Sequence, residues 1–148
     1  MKITLPDYPL KVKMDNGTKK VFDPLRKRYV ALTPEEEVRQ RCIQHLVVAC
    51  GYKASRMKSE VGIVVNDLQR RIDIIYYSRQ GRALVLVECK APSVPINQEV
   101  FDQAARYNMA LYAPYFIITN GRETYCALLQ PEAQRYQFLK NIPLDEEL

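Results

Sequence analysis

The sequence predicts an α/β fold: a central mixed β-sheet with helices packed on it, preceded by an N-terminal β-hairpin. Two stretches carry apolar residues at helical spacing, and several others alternate or run continuously apolar as strands do. Their chain order reads helix, three strands, helix, two strands, which implies a mixed sheet with helices on it. The length of 148 residues fits one domain over 1–148. A composition of 47% hydrophobic and 26% charged residues excludes disorder, collagen and coiled coil. No apolar run approaches the roughly 20 residues of a membrane span. The opening MKITLPDYPLKVKM has no apolar segment of a secretory signal, so a cytoplasmic product with no membrane partner is expected.

Leu10-Lys11-Val12-Lys13-Met14 alternates, Asp15-Asn16-Gly17 is a turn signal, and Lys20-Val21-Phe22 returns, so a hairpin is expected before Pro24. A helix opens at Thr33, the N-cap, with Pro34 in its first position and Glu36 completing a capping box; Gly51 follows its end near Cys50. Strands are expected at Glu60–Val64, Arg71–Tyr77 and Ala83–Lys90, the last broken by Ala91-Pro92. A second helix runs from near Asn97 to about Tyr112. Strands at Tyr115–Thr119 and Thr124–Leu129 flank Asn120-Gly121. No pattern assigns the tail, 131–148.

The charge is uneven. The first thirty residues hold eight Lys or Arg and three Asp, which accounts for the entire net charge of +5; the remainder balances 14 against 14. A basic segment on a neutral body suggests a polyanion partner, nucleic acid first, or else a solvated surface hairpin. Cys42, Cys50, Cys89 and Cys126 form no CxxC pair, and the single histidine is His45. Such a set does not make a zinc site, and the cysteines read as small buried hydrophobes.

Ala83–Val87 is continuously apolar, as in a strand buried on both faces. Glu88 and Lys90 at its end are costly there unless paired or metal-bound. Alternation places both on one face with Leu84 and Leu86, and Cys89 on the other. If Gln80-Gly81 is the turn, Asp73 lies directly opposite Glu88, with Cβ atoms roughly 4.5–5.5 Å apart, and Arg71 lies across from Lys90. Two ionised carboxylates at that separation repel. Lys90 and Arg71 could neutralise them, one could keep its proton, or the pair could hold Mg²⁺. A three-residue loop would shift this register.

On the first helix Val38, Cys42, Ile43, Leu46, Val47 and Cys50 form the apolar stripe. Glu35 and Arg39 fall inside it, which helix capping does not explain, so Glu35 is the candidate third acid and Glu36 the alternate. The second helix has Val100, Ala104, Tyr107 and Leu111 on its inner stripe, with Gln103 beside it.

Asp73…Glu88-Cys89-Lys90 resembles the PD-(D/E)xK nuclease signature, although Ile72 stands where the motif has Pro. Gln103-Ala104-Ala105-Arg106-Tyr107 resembles the QxxxY motif of its RecB-like branch. With Pro34–Arg39, Val87–Pro92, Phe101–Asn108 and Thr119-Asn120-Gly121, the chain resembles the N-terminal nuclease domain of type I restriction enzyme R subunits over roughly 33–130. The resemblance implies a restriction-endonuclease-like three-layer α/β/α fold. Residues 33–130 would form the nuclease core, 1–32 a basic hairpin or arm, and 131–148 a C-terminal extension. It implies a DNA endonuclease in which Asp73, Glu88 and Glu35 bind Mg²⁺ or Mn²⁺. Lys90 would join Asp73, Glu88 and Glu35 as a catalytic residue, positioning the attacking water. Gln103 and Tyr107 would contact the DNA backbone and orient Lys90, and Arg39 is placed with this DNA-binding and orienting group. The basic segment would track phosphates. No GxxxxGK[ST] loop is present, so any motor or specificity subunit of the restriction system is expected as a separate chain. A homodimer would let two sites cut both strands. The alternative is a catalytically silent DNA-binding or partner-binding module; a weaker one is an RNA or small-molecule hydrolase.

Overall fold

The computed structural model describes all 148 residues. The N-terminal region is a three-stranded antiparallel sheet of β1 (Val12–Asp15), β2 (Thr18–Asp23) and β3 (Arg28–Ala31). Asn16 and Gly17 both take positive φ, as a two-residue hairpin turn requires. The expected hairpin thus gains a third strand, because the chain turns back after Pro24 through Lys27 (φ 56°). Nor is the segment ahead of it a free arm. Ile3 exchanges two backbone hydrogen bonds with Thr124, and the Tyr8 hydroxyl meets His45 Nδ1 at 3.0 Å.

The main sheet has six strands: β4 (Met57–Val65), β5 (Leu68–Tyr77), β6 (Ala83–Cys89), β7 (Tyr115–Thr119), β8 (Thr124–Gln130) and β9 (Arg135–Leu139), in spatial order β4-β5-β6-β7-β8-β9. Only β6 and β7 run parallel, joined by helix α2 (Gln98–Leu111). Every other neighbour is antiparallel, so the sheet is mixed. Residues 131–148, unassigned from sequence, supply β9 and then dock: Tyr52 donates to the Pro143 carbonyl and Tyr76 to Asp145.

Helix α1 (Pro34–Val48) covers one face of this sheet. Its Val38, Cys42, Ile43 and Leu46 pack with Ile74, Val85, Val87, Cys89 and Ile117. Thr33 accepts from the Glu36 amide, but the Glu36 carboxylate does not return to Thr33; it goes to three side chains instead, so only half of the capping box forms. Helix α2 covers the other face, where Phe101, Ala104 and Ala105 meet Ile72, Leu86, Phe116 and Ile118. Its buried stripe centres on Phe101, Ala104, Ala105 and Asn108, one position round from the expected one. Val100, Tyr107 and Leu111 pack only at its margin, and Gln103 is exposed. All four cysteines are buried free thiols; burial pushes Cys50 up to about 11 and Cys126 up to about 12.

The β5–β6 register decides what the site can be. Ile74 pairs with Val87, Ile75 with Leu86 and Tyr76 with Val85, which is the register expected. The turn that produces it differs. Ser78 and Arg82 close a three-residue loop, and Tyr77 pairs with Ala83, leaving Leu84 as an extra residue in β6. This β-bulge absorbs the one-residue shift of the longer loop. It also turns Leu84 to the α1 side, against the expected alternation, while Leu86 and Cys89 lie on opposite faces as alternation requires.

Candidate active site

Asp73 sits where β5 turns over. Ile72 packs on the α2 side and Ile74 on the α1 side, although residues two apart on a regular strand share a face. Neither neighbouring ladder includes Asp73. Across from it on β4, Glu60 lies between the pairs Ser59–Ile74 and Val61–Ile72 and takes φ +51°, rare for a non-glycine residue. Continuing the β6 register one step past Val87 brings Glu88 to the other side of Asp73. Three acids, Glu60, Asp73 and Glu88, therefore stand in a row on adjacent strands. The Asp73 Oδ2 accepts the Cys89 amide at 2.7 Å, replacing the ladder bond lost there.

Arg39, only 5% exposed, reaches into this row from α1. It donates to Asp73 Oδ1 at 2.9 Å and Glu36 Oε1 at 2.7 Å, and lies 3.3 Å from Glu60 and 3.9 Å from Glu35. Burial works against its charge, but Asp73 and Glu36 outweigh that and hold it more firmly protonated. Its Nε is buried without a partner. Glu36 is equally enclosed, bonded to Arg39, Gln40 and Arg26. Arg26 extends the chain of charges to the buried Asp23, tying the N-terminal sheet to the site. Arg71, expected beside Lys90, instead pairs with Glu60 at 3.0 Å.

Glu88 and Glu35 both feel the charge of Asp73. Burial first, then hydrogen bonding with Asp73 and its charge, push Glu88 up to about 9; Lys90 opposes this and Glu35 adds to it. Burial and Asp73 also raise Glu35, while Arg39 and Lys90 pull it back. The structure thus brings Asp73, Glu88, Lys90, Glu35 and Arg39 together. Between the two candidate helix acids it separates roles: Glu36 is locked in ion pairs, and Glu35 keeps a half-exposed carboxylate. Tyr107 lies under the Arg70 guanidinium, 5.2 Å from its ring centre, and Gln103 points to solvent on α2.

A family model described as "Type I restriction enzyme R protein N terminus" matches residues 34–143. The chain belongs to that family. The R-protein N-terminal fold is also seen in a solved fragment described as an HsdR subunit of a type I restriction enzyme from Vibrio vulnificus YJ016. That structure superposes with a TM-score of 0.56 at 18% identity, over 79% of this chain and 24% of that one. This chain therefore spans about a quarter of the length of that relative. No curated protein matches it.

Within this R-protein N-terminal chain, the donor chemistry fits a hard divalent cation. Asp73 and Glu88 offer adjacent carboxylate oxygens, those of Glu88 left short of positive charge by burial and by Asp73, and Mg²⁺ takes one or two carboxylates plus waters. No three His, Cys, Asp or Glu side chains are clustered as a ready ligand set, and Arg39 holds Asp73. Sequence reasoning missed Glu60 and Arg26. Asn66-Asp67, both at positive φ between the paired Val65 and Leu68, carried the signal for Glu60: a two-residue turn there sets Glu60 against Asp73. Arg26 lies in an irregular turn, and nothing in the sequence pattern points it at Glu36.

Proposed function

We propose that the chain is a metal-dependent DNA endonuclease, and that α1, the sheet and α2 are the three layers of a restriction-endonuclease-like fold. The observation carrying this reading is the convergence of Asp73, Glu88, Glu35 and Lys90 where the β5–β6 ladder ends, with Glu88 pushed up to about 9 by burial and Asp73. Asp73 and Glu88 would hold Mg²⁺ or Mn²⁺, with Glu35 completing the shell directly or through water. The bound ion supplies Lewis acidity toward a phosphoryl oxygen. Lys90, beside the two acids, would position the attacking water and offset charge on the phosphorane. Arg39 holds the Asp73 carboxylate in place at 2.9 Å. Tyr107 and the exposed Gln103 are offered to the DNA backbone. In this reading DNA is the substrate in the cytoplasm, motor and specificity functions come from elsewhere in a restriction system, and a second copy of the site serves the second strand.

Nicking of supercoiled plasmid with Mg²⁺ or Mn²⁺ tests it. The wild type should nick, and Glu88→Ala and Lys90→Ala should not; equal activity in all three refutes the site. One observation favours a second reading, a silent DNA-binding module: Arg39 already occupies the acidic row, bonded to Asp73. Salt-dependent DNA binding without metal-dependent cleavage would select that reading.

A further inference from the structure

The N-terminal sheet has two unlike faces. Val21 and Asp23 are buried against the body, so the face carrying Val12, Val21, Val30 and Asp23 is its inner one. The outer face brings together Lys11, Lys13 and Lys20 with Phe22 and Tyr29. Their common side follows from contact: the Lys11 ammonium lies 4.9 Å from the centre of the Phe22 ring and the Lys13 ammonium 4.1 Å from that of Tyr29. The two rings meet edge to face at 5.4 Å. Asp15 is the one acid on this face, paired with Lys20 at 2.9 Å. Lys11 and Lys13 are exposed, and the segment holds the protein's whole net charge.

We infer that this outer face is a binding platform for single-stranded DNA, separate from the acidic site. Lysines two residues apart on a strand are about 6.6 Å apart, so one strand presents successive cations to successive phosphates. A lysine resting on a partly exposed ring is held only weakly, by a fewfold in equilibrium constant. A phosphate can therefore draw the ammonium aside and free the ring face. A base stacking on a side-chain ring gains from about fivefold to over a hundredfold in affinity, so exchanging lysine for base on Tyr29 is favourable. Every base has such a face, so the platform is indifferent to sequence. A duplex keeps its bases stacked on each other and can use only the lysines, which is why the rings favour a single strand.

The chain has no tryptophan, which gives a clean probe. Tyr29→Trp places one on the platform, and the full chain is titrated in EDTA with oligo(dT), a duplex of equal length and oligo(U). Stacking should quench that tryptophan and oligo(dT) should bind tightest. Tyr29→Leu should weaken oligo(dT) binding at least about fivefold without altering its salt slope. Lys11→Gln with Lys13→Gln should lower the slope of log K against log salt by about 1.4, since each phosphate contact contributes about 0.7 on a single strand. The Trp variant guards against misfolding of the Leu variant, since it retains the ring. Absent quenching, equal or tighter duplex binding, or tighter oligo(U) binding would each overturn the assignment. No cleavage is read and EDTA removes any metal, so the outcome does not depend on whether the acidic site is a nuclease.

Discussion

Replacing Glu88 by Gln should stabilise the metal-free protein at neutral pH. Burial and Asp73 push the Glu88 carboxyl up to about 9 from the usual 4.5. Between those values the native state keeps a proton that the unfolded chain has released. The stability linked to this group is therefore fully present below about pH 4.5 and is lost as pH rises through about 9. While one proton separates the states, the slope is about 1.4 kcal/mol per pH unit. Carried from the ordinary carboxyl range to pH 7, the loss is on the order of 3 kcal/mol. Glutamine matches the neutral carboxyl in size and donates as it does, but has no proton to lose. Urea unfolding in EDTA from pH 5 to pH 9 should show wild-type stability falling relative to E88Q, with a gap on the order of 3 kcal/mol at pH 7 that closes toward pH 4.5. Mg²⁺ should reverse the order, because binding to the native wild type alone adds stability. Parallel curves in EDTA would refute a proton retained on Glu88.

Arg39→Met should destabilise by about 3–5 kcal/mol in urea unfolding, because Asp73 and Glu36 are left buried and uncompensated. Phe101→Ala should cost about 3–5 kcal/mol, since Phe101 is 5% exposed and packs against Phe116, Tyr136 and Phe138. Gly121→Ala should lower thermal stability by about 1–2 kcal/mol. Gly121 has φ +86°, and an added Cβ would stand 3.2 Å from Val38 Cγ2.

The apolar runs and the helix start at Thr33-Pro34 made both helices and five of the main-sheet strands legible in the sequence, because they follow from periodicity and caps. β3 and β9 were not legible. Each is short, with few inward apolar residues, and each is held by pairing with a neighbour that local sequence does not reveal. The acid pair was readable because a carboxylate ending an apolar strand demands a partner. The turn that aligns it was not, since a two-residue loop and a three-residue loop with a bulge give the same register. The full enclosure of Glu36 was not legible, because one of its three partners, Arg26, comes from a turn whose conformation no pattern specifies. Gln103 is exposed because the buried stripe of α2 runs through Phe101, Ala104, Ala105 and Asn108, one residue round from the stripe that the spacing of Val100, Ala104, Tyr107 and Leu111 suggests.

The extra residue in β6 makes the site unevenly tolerant of changes in chain length. Tyr77–Ala83 and Tyr76–Val85 are consecutive ladder pairs, so Leu84 contributes nothing to alignment. Its deletion would join Ala83 to Val85 as a regular strand and leave Glu88 abreast of Asp73. Loss of Val85, Leu86 or Val87 would instead invert every side chain between the gap and the bulge, or carry Glu88 one step away from its partner acid. A lineage that trims this hairpin can thus do so at one position without disturbing the acids. Sequence comparison by motif spacing alone would read such a relative, with thirteen intervening residues where this chain has fourteen, as having lost the signature.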